Sequence, residues 1–254
     1  MKTIILAGGY GTRISEYTDK IPKPMVTIGD YPILWHIMNH YSKFTYNNFL
    51  IALGYKSSII KEYFLNYHTV NSNFSINLKS GDIKYSKRSS EDWQLEFYET
   101  GLNTNTGGRL KKLKDIIGNE RFMLTYGDGL ADINIENLLK FNKKNNKICT
   151  LTAVRPTARF GELKIDENNN VTKFEEKKQI NTGWINGGFF VFEPEIFDYI
   201  DNDQTMLEKE PIINLVNNNQ LSAFKHEGFW QCMDTKREYH YLNDLWNNGN
   251  APWS

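Results

Sequence analysis

Residues 1–13 read MKTIILAGGYGTR, and residues 22–25 read PKPM. Ile4 to Leu6 form a short apolar run that stops at Gly8-Gly9, the pattern of a buried strand feeding a tight turn. Such a turn exposes consecutive backbone N–H groups to an anion, because glycine admits positive φ and close approach. Arg13 adds a planar fork suited to phosphate, and Lys23 adds a mobile point charge. The spacing excludes two common phosphate loops. The dinucleotide fingerprint of dehydrogenases needs a third glycine where Ile14 stands, and the P-loop needs Gly-Lys-Ser/Thr where the chain has Gly11-Thr12-Arg13.

Working outward, short apolar runs alternate with helix-period segments, which predicts βαβ units and a largely parallel sheet. Residues 33–45 carry Leu34, Ile37, Met38 and Tyr41 at helical spacing. Phe49 to Leu53 reads as a strand, Ser57 to Tyr67 as a helix, Phe122 to Tyr126 as a strand, 134–143 as a helix and Ile148 to Val154 as a strand. Residues 70–100 alternate polar and apolar groups in INLKSGDIKY and WQLEFYET, predicting an antiparallel excursion with a turn at Gly81-Asp82. GELKI, VTKFEE and WINGGFFVF predict three further strands in 161–192, and Glu208 to Val216 and Arg237 to Trp246 predict helices. The expected architecture is α/β: a Rossmann-like doubly wound mixed sheet with small antiparallel β elaborations. Residues 1–254 are expected to form one domain, with 1–155 as its doubly wound first half and 156–254 as its more β-rich C-terminal part.

Composition supports a globular reading. The 254 residues are 40% apolar and 14% aromatic, enough to fill a core, which excludes disorder, collagen and coiled coil for the whole chain. Thirty Lys+Arg balance thirty Asp+Glu, so no excess charge points to nucleic acid or an anionic membrane as partner. Apolar stretches fall far short of the roughly 20 residues of a membrane span. The two cysteines, Cys149 and Cys232, suit a reducing compartment, and the expected location is cytoplasmic.

The longer string LAGGYGTR with PKPM resembles the signature of sugar-1-phosphate nucleotidylyltransferases. ILWHIM (33–38), GYK (54–56), TGGRLK (106–111), TYGDGLAD (125–132), RFGEL (159–163), INGGFFV (185–191), GFWQCMDT (228–235) and APW (251–253) are similar, in that order, to the glucose-1-phosphate cytidylyltransferases within that family. The resemblance spans essentially the whole chain. One departure is Glu176-Lys177-Lys178, where the family usually has Glu-Lys-Pro. The resemblance implies a Mg²⁺-dependent transfer of a cytidylyl group from CTP to α-D-glucose 1-phosphate, giving CDP-glucose and pyrophosphate. It also implies a homo-oligomer that feeds dideoxysugar synthesis for O-antigen and lipopolysaccharide. The same fold with another base or acceptor is the alternative. A regulatory homologue without catalysis is disfavoured by the intact Arg13, Lys23, Asp128 and Asp234.

That reaction needs no side-chain base, because a phosphate monoester is already largely dianionic near neutrality, its second pKa being about 6. Positioning and cation clamps should carry the catalysis. Arg13 is expected near the departing pyrophosphate and Lys23 near the α-phosphate. Asp128, after an apolar strand and between two glycines, and Asp234, after GFWQCM, are candidate Mg²⁺ ligands. Read from the residues alone, Asp128 could be a turn aspartate and Asp234 a helix N-cap; the resemblance favours metal at both. It also assigns Leu6, Ala7, Gly8, Gly9, Gly11, Thr12, Arg13, Lys23, Thr104, Arg109 and Gly127 to the nucleotide, and Glu176, Lys177, Asn186 and Gly187 to the sugar phosphate. His36 and His40 lack a third ligand for zinc. The Lys111-Lys112-Lys114 cluster is expected to be a solvated helix face, the tryptophans packing groups, and Cys232 a small core residue.

Overall fold

The structure, a computed structural model, describes residues 1–86, 91–156, 162–165, 167, 170–175 and 183–254. Its centre is a seven-stranded sheet. In chain order the strands are β1 (Lys2–Leu6), β2 (Asn48–Leu53), β3 (Gln94–Glu99), β4 (Phe122–Tyr126), β5 (Cys149–Val154), β6 (Ile185–Phe192) and β7 (Leu221–His226). Across the sheet they lie in the order β7-β5-β6-β4-β1-β2-β3. Every neighbouring pair is parallel except those made by β6, which runs antiparallel to both β5 and β4. The main helices are α1 (Ile33–Ser42), α2 (Ser57–Leu65), α3 (Thr106–Lys111), α4 (Ile135–Asn145), α5 (Glu210–Asn217) and α6 (Lys236–Asn247).

The unbroken apolar runs of β1, β2 and β4 are explained by burial on both faces. Successive side chains of a strand point to opposite faces, and two cores result. Ile5, Phe49, Ile51, Met123, Phe189 and Val191 pack with α1 and with residues of α2, α4 and α6. Ile4, Leu50, Ala52, Leu124, Phe190 and Phe192 pack with Leu110, Leu113 and Leu215 on the other side. The sheet is therefore covered by helices on both faces, a doubly wound α/β arrangement.

Two strands differ from the sequence expectation. WQLEFYE is not part of the antiparallel excursion: β3 is a parallel edge strand paired with β2. Its side chains are only half-buried, which gives the alternating pattern that resembles a hairpin arm. β7, unmarked by the sequence pattern, pairs in parallel with β5 at the opposite edge. The excursion itself shrinks to a hairpin of Phe74–Ile76 with Ile83–Tyr85, turned at Gly81 with φ of 78°. GELKI and VTKFEE pair as a second small ladder, Glu162–Ile165 with Val171–Glu175. A third joins Gly129–Ala131 to Trp230–Cys232, antiparallel, with Gly129 opposite Cys232.

Packing bears on two of the plainer expectations. His36 and His40 are buried, and their Nε2 atoms meet the carbonyls of Ile28 (2.9 Å) and Ile133 (2.8 Å). Desolvation by burial pushes both pKa values down to about 4, so both rings are neutral core groups. The lysine cluster is exposed at Lys112 and Lys114, as expected of a solvated face, and it also makes specific contacts. Lys111 donates to the carbonyls of Ile200 and Asp201 (2.6 and 2.7 Å), Lys112 pairs with Asp203 at 2.7 Å, and Lys114 lies over the Phe197 ring. These contacts tether the end of α3 and the residues after it to segment 197–203. Among the described residues no helix is long and apolar enough to cross a membrane.

Candidate active site

The strand order reverses at β1: the chain moves outward to β2 and β3 on one side, then returns to β4 on the other. Ligands of open α/β sheets bind at such a switch point, beyond the carboxyl ends of the strands. The glycine loop leaves β1 there, and Gly127-Asp128 leaves β4 beside it, with the Gly127 N–H donating to the Leu6 carbonyl at 3.1 Å. The reversal of β6 matters equally. Because it is antiparallel to β4, its first residues, Asn186 and Gly187, begin at this same edge. A cleft of about 800 Å³ opens between these segments, bounded also by Thr104, Thr106, Glu208, Trp230 and Asp234.

The short ladder of Gly129–Ala131 with Trp230–Cys232 explains how two distant aspartates meet. With Gly129 opposite Cys232, Asp128 and Asp234 sit at the same end, and the Met233 N–H donates to the Asp128 carbonyl at 2.9 Å. Asp234 is not the cap of α6. Thr235 caps that helix in a reciprocal box with Glu238, which leaves the Asp234 carboxylate free for the cleft. Both carboxylates converge on Lys23: Nζ lies 2.6 Å from Asp128 Oδ2 and 2.5 Å from Asp234 Oδ1. Arg13, itself exposed, reaches the other Asp234 oxygen at 2.7 Å. Burial alone would lower the Lys23 pKa, but Asp128 and then Asp234 outweigh it and raise it above the usual lysine value. Burial likewise works against Asp234, yet Lys23 and Arg13 hold its pKa below the usual carboxylate value. The sequence-predicted clamps and metal ligands thus form one charge-balanced group on the cleft wall. Cys232 approaches Asp234 at 3.5 Å, and burial together with Asp234 pushes its thiol up to about 12, so it is unreactive near neutrality.

The glycine loop is held from behind. The Gly8 carbonyl accepts from the Tyr55 N–H at 3.2 Å and from Arg109 Nη2 at 2.9 Å, and Gly11 adopts φ of 65°. A Cβ on Gly8 would stand 2.2 Å from the Arg109 guanidinium, so a larger residue there would push that side chain off its oxygens. Arg109 also lines the cleft, but its guanidinium is engaged by the chain's own oxygens. It is buried, and its guanidinium contacts the oxygens of Leu53, Thr100, Gly101, Gly8 and Leu102 at 2.7–3.3 Å. It ties the loop after β1 to the segment after β3. Thr104 is buried at the cleft and accepts from Lys112 at 3.5 Å. Leu6, Ala7, Gly9, Thr12 and Gly127 all line the cleft. Glu176 and Lys177 lie outside the described residues.

Two further side chains emerge on the Asn186 side. Tyr126, the last residue of β4, donates its hydroxyl to Glu208 Oε1 at 2.6 Å and lies 3.4 Å from Asn186 Nδ2. Thr106, opening α3, donates to Glu208 Oε2 at 2.6 Å. Glu208 therefore links the start of α3 to the end of β4, and Tyr126 carries the link on to Asn186 at the start of β6. Nothing in MLEKE distinguishes that glutamate from a surface charge, whereas Tyr126, directly before Gly127-Asp128, could have been inferred from its place at the strand's end. The close fit of Tyr126 against Gly188, where a Cβ would stand 2.4 Å from the ring, fixes this corner.

No third acidic, histidine or cysteine side chain joins Asp128 and Asp234 to make a metal cage among the described residues. Two hard oxygen donors that already share one cation suit Mg²⁺, which takes one or two carboxylates and completes its shell with phosphate oxygens and water.

A family model described as Nucleotidyl transferase matches residues 2–244. The glucose-1-phosphate cytidylyltransferase of Salmonella typhi is 46% identical over 254 residues, covering 100% of this chain and 98% of that protein. A D-glycero-alpha-D-manno-heptose 1-phosphate guanylyltransferase of Campylobacter jejuni is 35% identical, over 82% of this chain and 81% of its own. Among solved structures, HddC from Yersinia pseudotuberculosis, also determined with GMP-PN, has a TM-score of 0.69 at 21% identity and covers 96% of this chain and 99% of its own. That last likeness speaks for the fold alone.

Proposed function

Because the chain belongs to the nucleotidyl transferase family, we propose that its cleft transfers a cytidylyl group from CTP to α-D-glucose 1-phosphate. The observation that carries this reading is the convergence of Lys23, Arg13, Asp128 and Asp234 at the switch-point cleft. The 46% identity to a glucose-1-phosphate cytidylyltransferase over the full chain supports the choice of base and sugar.

In this mechanism a phosphate oxygen of the sugar phosphate forms a new bond to the α-phosphorus, and the α-phosphorus–oxygen bond to the β-phosphoryl group breaks. Pyrophosphate leaves with that electron pair. No proton need be removed from the dianionic nucleophile, and no covalent enzyme intermediate forms. The glycine loop and the exposed Arg13 hold the departing phosphates, so charge that builds on them meets a fixed N–H cradle and a guanidinium fork. Lys23 faces the α-phosphate. Asn186 and Gly187, at the start of β6, orient the acceptor, with Tyr126 and Glu208 fixing that wall. Asp128 and Asp234 would hold Mg²⁺, which when bound neutralises phosphate charge so that two anions can approach.

A pyrophosphate-release assay tests the proposal, with CTP, UTP, GTP, ATP and dTTP crossed against glucose, mannose and galactose 1-phosphates. CTP with glucose 1-phosphate should give the highest kcat/KM. A stronger preference for GTP or for another sugar would replace the base or acceptor assignment.

A further inference from the structure

The Lys23 ammonium occupies the place that a divalent cation would need. Its Nζ touches Asp128 Oδ2 at 2.6 Å and Asp234 Oδ1 at 2.5 Å, and only 9% of its side chain is exposed. Arg13 takes the second Asp234 oxygen, so two carboxylates and two cations form a neutral set. The backbone has little freedom to yield, because Lys23 lies on a short 3₁₀ turn between Pro22 and Pro24, whose φ angles are fixed. The four-carbon stem is the part that can move. An ammonium and a divalent ion cannot share the same two oxygens: their charges repel at contact distance in a partly dry site.

We infer that Lys23 is a resident counter-ion that closes the Asp128–Asp234 pair to free divalent cations, and that a metal ion gains the pair only together with a phosphate that draws Lys23 away. The inference rests on the reading of these aspartates as metal ligands. A phosphate entering the cleft does two things at once. It offers Lys23 another anion, and it offers the metal further oxygen ligands. Metal and nucleotide therefore bind with positive coupling beyond the complex they form in solution, and that coupling passes through Lys23. Linkage is reciprocal, so the metal tightens nucleotide binding by the same factor. The free enzyme, by the same logic, leaves the divalent-ion pool alone.

Mn²⁺ binding followed by electron paramagnetic resonance reads this directly, without turnover. The whole chain is titrated as wild type, Lys23→Met and Lys23→Met/Asp128→Asn, first without nucleotide and then with saturating CMP, whose single phosphate holds Mn²⁺ weakly in solution. Freed of the need to displace charge-assisted bonds, Lys23→Met should bind Mn²⁺ about ten-fold or more tightly than wild type without nucleotide. The double variant should lose that gain. CMP should tighten Mn²⁺ binding to wild type and leave Lys23→Met nearly unchanged; the wild-type arm needs no variant to fold. Thermal melts add a second readout, in which Mn²⁺ raises the Tm of Lys23→Met more than that of wild type. Equal Mn²⁺ affinity in wild type and Lys23→Met, lost on changing Asp128, would overturn the counter-ion role while leaving the metal site standing. Mn²⁺ binding indifferent to Asp128, with or without CMP, would remove the metal site and the inference with it.

Discussion

Replacing Arg109 by methionine keeps most of the buried stem and removes the guanidinium. Five oxygens lose a donor, but a simple count of five bonds overstates the cost. The Leu53 carbonyl still accepts from the Thr100 N–H at 3.0 Å and its hydroxyl at 2.6 Å, and the Gly8 carbonyl still accepts from the Tyr55 N–H. Leu102 is 51% exposed, so its carbonyl can turn to water. Gly101 is the acceptor left without another partner among the described residues. One stranded carbonyl costs about 1–3 kcal/mol, the other weakened bonds add roughly 1, and relief of the buried charge offsets part of this, leaving about 2–3 kcal/mol. For a chain of this size the melting temperature should fall by about 4–12 °C. The loosened Gly8 loop should also raise the KM for CTP. Arg109→Lys should recover little, because one ammonium cannot reach oxygens on three segments. Calorimetric melts beside initial-rate titrations of CTP decide the matter. An unchanged Tm, a hundred-fold loss of CTP affinity and full rescue by Arg109→Lys would refute the brace and make Arg109 a direct phosphate ligand.

Asp128→Asn should abolish pyrophosphate release while circular dichroism shows the fold retained, since Lys23 keeps Asp234. Asp234→Asn should be equally inactive without fraying α6, because Thr235 carries the cap; a Tm loss with activity preserved would reverse that assignment. Tyr126→Phe should raise the KM for glucose 1-phosphate more than that for CTP, by freeing Asn186 and Glu208 at one wall of the cleft; equal effects on both substrates would count against it. The double change Lys177→Ala/Lys178→Ala should weaken acceptor binding roughly ten- to hundred-fold and spare CTP, as measured by separate titrations. Acid should destabilise the fold through His36 and His40: with folded pKa values near 4, below the unfolded value of 6.5, the native state binds fewer protons. Stability should therefore fall as pH drops from 6.5 toward 4, by about 2 kcal/mol per histidine at pH 5, and His36→Gln should flatten the profile in urea melts.

The strands buried on both faces were legible, since a run such as FMLTY, bounded by turn residues, is short for a helix and apolar enough to be buried. The edges were not. β3 is half-exposed and alternates like a hairpin arm, and Leu221–His226 carries too much polarity to stand out from a loop. The reversed direction of β6, on which Asn186 depends, is a property of the whole sheet and leaves no local mark. In the cleft, the glycine loop and the two aspartates were visible as motifs. Their meeting at Lys23 required the register of a three-residue ladder. Arg109 shows a different limit: an arginine beside glycines announces a demand for oxygens, but the letters do not say whether those oxygens belong to a ligand or to the chain's own carbonyls. Glu208 gave no signal at all, because its partners lie on α3 and β4.

The ladder of Gly129–Ala131 with Trp230–Cys232 spans roughly a hundred residues of chain, a loop whose closure belongs to the slow, non-local part of folding. Until it closes, Asp128 and Asp234 are unrelated positions on a collapsing polymer, and no partly folded species carries the complete cleft. A nucleotide therefore recognises only the finished molecule and stabilises it by mass action. Interactions absent from the transition state act on the escape rate, so substrate should slow unfolding and leave the folding rate untouched. A ladder that closes only after the transition state would make the nucleotide pool a kinetic lock on the native chain, one that lengthens its life against proteolysis without helping it to fold.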